Sequence, residues 1–529
     1  MGKLVVIGFM AAGKSTFARH SAERLDWPLA DSDLVLQERL GESIPEFFDR
    51  EGEPAFRERE REVVLELLQS PGPGVVALGG GAVEAAEVRA ALAEHLVVHV
   101  DVDVETAWAR ALKSSTKRPL ARDRDRFEAL YERRFPLYES LARASVTGGK
   151  DVDGAGEAAV ALTRAGVPEA VRMVWSRAGE GHPVYVGPGA LGAAGALWTG
   201  QGRGFVVADE DVLALHGDQL LASLSEATEV AEPVTVAPGE QHKNLAEAER
   251  VLRALAQRGM QRGDTLVALG GGVTGDLAGF CGATYQRGVA VMQVPTTVVA
   301  QVDSAYGGKT GVDLPEAKNY VGVFHQPAAV LTDPTVLATL PVEELRAGYA
   351  EVVKTGLISG GAVWERVLAI GTLEQAVSDD LAALGAVIED CVRTKLAVVA
   401  ADEHDTGARA ALNLGHTLAH ALESATGYGE FRHGEAVALG LLAALRISER
   451  ELGLDGGVRE RVHDLLAANG LPVSFEGPST DSLLAHMDRD KKRRGAQRNL
   501  VLLRAPGDVA IGVEAPDDVI VNAVDELRR

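Results

Sequence analysis

Residues 3–25 leave little choice of fold. A β-branched run, Lys3-Leu-Val-Val-Ile7, enters the loop Gly8-Phe-Met-Ala-Ala-Gly13-Lys14-Ser15-Thr16, and an amphipathic stretch continues to about Leu25. Strand, GxxxxGK[ST] loop and helix in that order form a phosphate-binding loop, and the flanking context makes the match specific. Backbone N–H groups from Ala11, Ala12 and Gly13 into Thr16 converge with a helix N-terminus on phosphate oxygens. Lys14 reaches the outer phosphates, and Ser15 offers a hydroxyl to magnesium.

Two acids follow. Asp31 and Asp33 stand at the end of the next predicted strand, two apart and so on one side. One, Asp31 or Asp33, can join the magnesium shell while the other accepts a proton from a substrate hydroxyl. The alternative is a pair that caps a helix starting near Leu34. Arg57 is either a ligand or helix surface. Val75 to Leu78 reads as a buried strand ending in Gly79-Gly80-Gly81, where a backbone can approach a ligand closely. The charged stretch Arg122 to Arg126 suits a polar lid, and Glu132 to Arg134 a solvated face.

Together the loop, Asp31-Ser-Asp33, Gly52-Glu-Pro-Ala-Phe-Arg57, the triple glycine, Lys117-Arg118-Pro119-Leu120 and Arg134-Phe-Pro-Leu-Tyr138 resemble shikimate kinase over roughly residues 1–165. The resemblance implies ATP as substrate, with Arg118 in a lid over it. It also implies shikimate bound by Asp33, Arg57, Gly80 and Arg134, with Asp33 as base. Ala11 stands where that family has glycine. A methyl group there narrows the loop's conformational range and leaves its N–H in place.

At 529 residues the chain needs two or three domains. A formal net charge of -23 argues against nucleic-acid binding, so any anionic substrate must be held by local basic residues. Two cysteines make no disulfide framework and fit a reducing cytoplasm. The N-terminus lacks the apolar core of a signal peptide, and no run approaches the roughly 18–20 apolar residues that span a bilayer.

Ala165-Gly-Val-Pro168-Glu-Ala separates two patterned regions, so residues 166–172 read as a linker. Beyond it, Phe205-Val-Val-Ala-Asp209 is a buried strand ending in an acid. Leu266-Val-Ala-Leu-Gly270-Gly271-Gly272-Val-Thr-Gly275-Asp276 is a strand running into GxGxxG and a helix, a pattern that suits a dinucleotide pyrophosphate. The acid expected about 20 residues later is absent, and Asp209 can take that role from upstream. Lys309, Lys318 and Asn319 among glycines suggest a local anion site, or else plain surface. From about Pro341 the sequence turns helical.

Within the helical part, His416 and His420 share a helix face. His433 joins them if the chain folds back at Tyr428-Gly429, and Glu351 is the carboxylate to add. Two imidazoles and a carboxylate can hold a transition metal. The alternative is a set of capped or core histidines, since HxxxH alone is common.

Taken in order, these segments resemble 3-dehydroquinate synthase over about residues 173–529. The resemblance implies a Rossmann-like NAD-binding α/β part at 173–335 and a mainly α-helical part at 336–529. Position by position it implies zinc or cobalt on Glu351, His416 and His433. NAD would meet Asp209, Glu240, Lys243, Gly271, Gly272, Asp276, Thr296, Thr297 and Thr339, with Lys309 and Lys318 shared with substrate. The substrate, 3-deoxy-D-arabino-heptulosonate 7-phosphate, would meet Asp303, Lys309, Lys318, Asn319, Lys354, Lys395, Arg409, Asn413, His420 and one of Lys491 and Lys492. Arg287 matches a phosphate contact that reaches a neighbouring subunit, which implies a homodimer. Lys354, Asn413 and His420 would act in catalysis, His420 as proton shuttle. The fold class expected is therefore α/β: a P-loop kinase domain with a parallel sheet, then the NAD-binding part, then the helical metal-binding part. The expected enzyme is bifunctional, phosphorylating shikimate and making 3-dehydroquinate plus phosphate in aromatic amino-acid biosynthesis. The alternatives are another sugar-phosphate cyclase or polyol-phosphate dehydrogenase in the second half, or a non-catalytic kinase half.

Overall fold

Short β-branched runs alternating with amphipathic stretches fold as parallel sheets covered by helices. Both parts of the chain do so in a computed structural model that describes residues 2–113, 123–147, 152–427, 429–494 and 499–529, the side chains of 489–494 excepted. Arg118 falls outside the described residues, and so do the side chains of Lys491 and Lys492. The chain divides into two compact units, Met1–Tyr185 with Ala196–Thr199, and Val186–Gly195 with Gly200–Arg529. The Gly166–Pro168 stretch lies inside the first.

The first unit runs β1 (Leu4–Ile7), α1 (Lys14–Leu25), β2 (Leu29–Asp31), α2 (Ser32–Leu40), α3 (Ile44–Gln69), β3 (Val75–Ala77), α4 (Ala86–Leu92), β4 (Leu96–Asp101), α5 (Val104–Lys113), α6 (Arg124–Leu141), β5 (Ala144–Thr147), α7 (Ala155–Ala161), β6 (Arg172–Ser176) and β7 (His182–Val186). Its sheet order is β2-β3-β1-β4-β5-β6-β7. β1 pairs parallel with β3 on one side, Leu4 beside Val75, and with β4 on the other, Leu4 beside Leu96. Every residue of β1 and β3 is buried, as a strand covered on both faces requires. The loop after β1 opens at the sheet's C-terminal edge, between diverging neighbours, where ligands of such sheets bind.

The second unit begins with β8 (Gly204–Asp209), α8 (Glu210–Ser225), β9 (Val234–Val236), α9 (Leu245–Gln257), β10 (Thr265–Gly270), α10 (Gly272–Thr284), β11 (Ala290–Pro295) and α11 (Val298–Val302). A hairpin, β12 (Lys309–Leu314) and β13 (Ala317–Phe324), leads to β14 (Ala329–Thr332). The sheet order β14-β11-β10-β8-β9 places β10 centrally, and all six of its residues are buried. Helices follow: α12 (Val342–Ser359), α13 (Gly361–Ala369), α14 (Leu373–Asp379), α15 (Leu381–Ala401), α16 (His416–Ala425), α17 (His433–Glu451), α18 (Gly456–Ala468) and α19 (Thr480–Arg494). A hairpin, β15 (Leu500–Ala505) with β16 (Asp508–Val513), and α20 (Asp517–Asp525) close the chain. The apolar run at Leu500 is thus one strand of a hairpin. Most residues of α12 and α17 are buried, and the two helices lie in the core of this part. No helix among the described residues is long and apolar enough to cross a membrane.

Candidate active sites

In the first unit α1 starts at Lys14 with no side-chain cap, Gly13 adopting φ 106°, so the positive end of the helix opens on the loop, as a phosphate site requires. Ala11 has φ 63°, a left-handed conformation that costs an alanine about 1–2 kcal/mol. That conformation explains why glycine suits the position. Lys14 Nζ donates to Phe9 O at 3.0 Å.

Asp31 and Asp33 do not share a strand. β2 ends at Asp31, which caps α2 by accepting from the Asp33 N–H at 3.0 Å, and Asp33 sits in the helix's first turn. The other Asp31 oxygen accepts from Ser15 Oγ at 2.7 Å. Capping and the approach to Ser15 are therefore two uses of one carboxylate, and the strand-side geometry expected of the pair gives way to the cap.

The triple glycine forms the floor beneath the acids and bases. A Cβ on Gly79 would come within 2.5 Å of Glu60 Oε1 and 2.7 Å of Asp33 Oδ1, and one on Gly81 within 2.1 Å of Arg57 Nη1. Arg57 Nη1 pairs with Glu60 Oε2 at 2.6 Å, and Arg134 Nη2 with Glu84 Oε2 at 2.6 Å. Tyr138 donates to Gly80 O at 2.6 Å. Burial pushes the Glu60 carboxyl up, with Arg57 opposing and Asp33 adding to the rise. The Arg134 Nε is sealed from solvent and has no partner. The structure thus gathers Asp33, Arg57, Gly80 and Arg134 around one turn. Glu60, Glu84 and Arg110 went unread in the sequence. Arg110 lines a cavity with Ala11, Gly13 and Thr16, but it comes from α5 with no motif to mark it.

In the second unit His416 and His433 are each the first residue of a helix, and Glu351 lies inside α12 with no exposure. One ligand atom from each falls within 4.8 Å of the others. Both Nε2 atoms face Glu351 Oε1 at 3.5 Å. The His416 Nδ1 faces Leu414 O at 3.2 Å, which assigns its proton to Nδ1 and its lone pair to Nε2. His420, one turn on, packs edge-on against His416 with centroids 5.5 Å apart. Burial, with Lys354 adding, pushes His416 down to about 3. Burial also opposes the charge of His433, but Glu351 and Glu423 outweigh it and raise the group to about 10. Glu351 is held well below the usual carboxylate range despite its burial, chiefly by Lys354 and the two imidazoles. Lys354 Nζ and the two imidazole Nε2 atoms are what face the Glu351 oxygens. Two imidazole nitrogens and a sealed carboxylate converging on one point are a donor set that suits zinc or cobalt.

The cleft continues with charged pairs. Lys395 pairs with Asp303, and Lys309 with Asp405 at 2.5 Å. Arg409 donates to Gly307 O at 2.9 Å and Glu403 O at 2.8 Å. Burial opposes ionisation of Asp303, yet Lys395 and Lys354 bring it down to about 2. Asn413 ends the short 3-10 helix Ala408–Asn413 just ahead of His416.

At the nucleotide end, Gly271 and Gly272 lie where β10 turns into α10, and a cavity lined by both also takes in Asp276 and Lys309. Asp209 caps α8, accepting from the Asp211 N–H at 3.0 Å. Thr297 caps α11, and the Thr296 hydroxyl is buried without a partner. Lys243 pairs with Glu240 at 2.9 Å and Asp276 at 3.3 Å, and donates to Asn319 Oδ1 at 2.8 Å. Burial pushes Asp276 up to about 6, with Lys243 opposing. Two positions stand apart. The Thr339 hydroxyl is 2.7 Å from His216 Nε2, and Arg287 is exposed on the turn after α10. Glu423 and Asp313 are polar members of the cleft that the sequence reading passed over. Glu423 extends the His416–His420 stripe at the i, i+4, i+7 spacing, and that spacing could have found it.

Residues 10–161 match the family model for shikimate kinase, 233–347 that for the N-terminal part of 3-dehydroquinate synthase, and 348–493 that for its C-terminal part. The 3-dehydroquinate synthase of Halorhodospira halophila is 45% identical over 361 residues, 67% of this chain and 100% of the relative. That of Caulobacter vibrioides is 44% identical over 342 residues, 62% of this chain and 91% of the relative. Among solved structures, 2-epi-5-epi-valiolone synthase from Streptomyces hygroscopicus, with NAD+ and Zn2+ bound, gives a TM-score of 0.60 at 27% identity, covering 65% of this chain and 96% of that one. The chain belongs to the 3-dehydroquinate synthase family and, with a shikimate kinase domain ahead of that portion, is a bifunctional enzyme of the shikimate pathway.

Proposed function

We propose that the cleft around Glu351, His416 and His433 converts 3-deoxy-D-arabino-heptulosonate 7-phosphate to 3-dehydroquinate and phosphate, and that the turn around Gly80 holds shikimate for phosphorylation by ATP. The observation that carries the first assignment is the convergence of two Nε2 atoms on a sealed carboxylate beside Lys354. Glu351, His416 and His433 would hold the divalent ion. Asp209, Glu240, Lys243, Gly271, Gly272, Asp276, Thr296 and Thr297 would hold NAD, and the unpartnered Thr296 hydroxyl suits a ligand there. When bound, zinc or cobalt supplies a Lewis acid and NAD a hydride acceptor that gives the hydride back, chemistry that no side chain has. The relative with NAD+ and Zn2+ bound supports this choice.

The chain's own residues do the rest. Lys354, Lys395, Lys309 and Arg409 bring positive charge to a substrate that carries phosphate and carboxylate, in a protein whose net charge of -23 would otherwise repel it. Asp303 keeps Lys395 aimed, and the glycine-rich turn at Gly307 orients Arg409. His420 lies one turn from His416 and can carry protons to and from the reacting carbons.

In the kinase site Ser15 and Asp31 would hold magnesium, and Lys14 with the loop N–H groups the phosphates. Arg57 and Arg134 bind the shikimate carboxylate, Gly80 brings the backbone against the ring, and Asp33 takes the hydroxyl proton. The exposed Arg287 fits a role in a homodimer, so activity should follow a dimeric state. Both cysteines are buried and unpaired, which suits a reducing cytoplasm.

The test is phosphate release from the heptulosonate phosphate with NAD+, with and without a chelator, on wild type and His416→Ala. Metal-dependent release that the substitution abolishes is expected. Full activity in His416→Ala would make the residue structural and end the assignment.

A further inference from the structure

We infer that Glu423 is a positioning residue that fixes the orientation of His433 and ties the metal centre to the β12–β13 hairpin; the inference rests on the reading of Glu351, His416 and His433 as the metal site. For His416 and His433 to offer lone pairs at Nε2, where both face Glu351 Oε1 at 3.5 Å, each needs an acceptor for the proton on Nδ1. Leu414 O serves His416. For His433 the partner at Nδ1 is Glu423 Oε2, at 3.5 Å. Metal-ligating histidines nearly always have such a partner, and it sets both tautomer and ring direction.

Glu423 is itself buried, 5% exposed, and its second oxygen is also engaged: Oε1 lies 3.7 Å from Lys318 Nζ on β13. The next residue, Asn319, accepts from Lys243 Nζ at 2.8 Å and holds φ 55°, its own N–H donating to Asp313 Oδ1 at 2.6 Å. Lys243 in turn pairs with Glu240 and Asp276 at the nucleotide end. Two consecutive hairpin residues therefore join the two ends of the cleft, Lys318 through Glu423 to His433, and Asn319 through Lys243 to Asp276. A carboxylate has one oxygen for each task; a carboxamide has only one acceptor.

A plain structural reading of Glu423 as the buried partner of Lys318 would leave metal affinity untouched, and this separates the two. The probe is zinc alone, titrated into the full-length protein against a chromogenic chelator, without turnover. Glu423→Met, of similar length and without an acceptor, is expected to weaken zinc binding about 10–100-fold, while Glu423→Gln recovers most of the loss. Lys318→Met is expected to keep zinc affinity within about twofold, because Glu423 Oε2 still faces His433 Nδ1. Equal zinc affinity in Glu423→Met, Glu423→Gln and wild type would overturn the inference. His416→Ala is the control: if it too binds zinc normally, the metal-site reading fails rather than the role of Glu423.

Discussion

An imidazole sealed from water resists protonation, and His182 in β7 is such a group: it is 2% exposed, its Nε2 has no partner, and burial pushes it down to about 3 from 6.5. Between those values the unfolded chain binds a proton that the folded one refuses, so stability is full above pH 6.5 and falls as the pH drops towards 3. At about pH 5 the loss is roughly 2 kcal/mol. Denaturant unfolding followed by tryptophan fluorescence should show that loss in wild type and little of it in His182→Gln. The signal is apt, because four of the five tryptophans, Trp27, Trp108, Trp175 and Trp198, lie in the first unit. No sequence pattern announces such a residue, since burial of one histidine depends on what covers β7. Ser15 and Lys14 were legible because the loop's spacing is itself the geometry. Asp31 was legible only in part, because whether a strand stops at Asp31 or runs on to Asp33 is decided by the cap it makes.

Helices α12, α16 and α17 meet where side chains are smallest. A Cβ on Gly434 would lie 1.7 Å from Ala347 O, and one on Gly440 2.0 Å from Gly415 O. Ala347 is one turn ahead of Glu351, and Gly434 follows His433, so this close approach brings carboxylate and imidazole together. Gly434→Ala should push α17 off α12, costing about 1–3 kcal/mol by overpacking. Thermal unfolding and zinc titration should both register it, and an unchanged melting point and zinc affinity would refute the account. The pairing of His416 with His420 could be read from a helical spacing; the fold-back that brings in His433 falls between Ala425 and His433, and of the expected Tyr428-Gly429 break Tyr428 lies outside the described residues. The β12–β13 hairpin was seen only as scattered lysines among glycines. Its function depends on register, Lys309 opposite Phe324, which spacing within one strand does not reveal.

At the scale of the chain, each unit has its own buried strands and its own set of site residues, so a lesion in one should spare the other. Lys14→Met should lower shikimate phosphorylation by roughly 100-fold or more while phosphate release from the heptulosonate phosphate stays at the wild-type rate. Parallel loss of both activities would refute independent sites. The division into a P-loop part and a nucleotide-plus-helical part was legible from motifs. The placement of β6 and β7 with the first unit was not, because strand pairing across 28 residues, such as Ala144 beside Met173, leaves no local trace. One chain holding both sites also sets their ratio. Every copy made or degraded adds or removes one kinase and one synthase, so expression level cannot tune either activity against the other. The synthase's product, 3-dehydroquinate, is not the kinase's substrate, shikimate. What the fusion holds constant is therefore stoichiometry between two non-adjacent points of a flux, and any imbalance between them must be corrected through turnover numbers or by the enzymes that work in between.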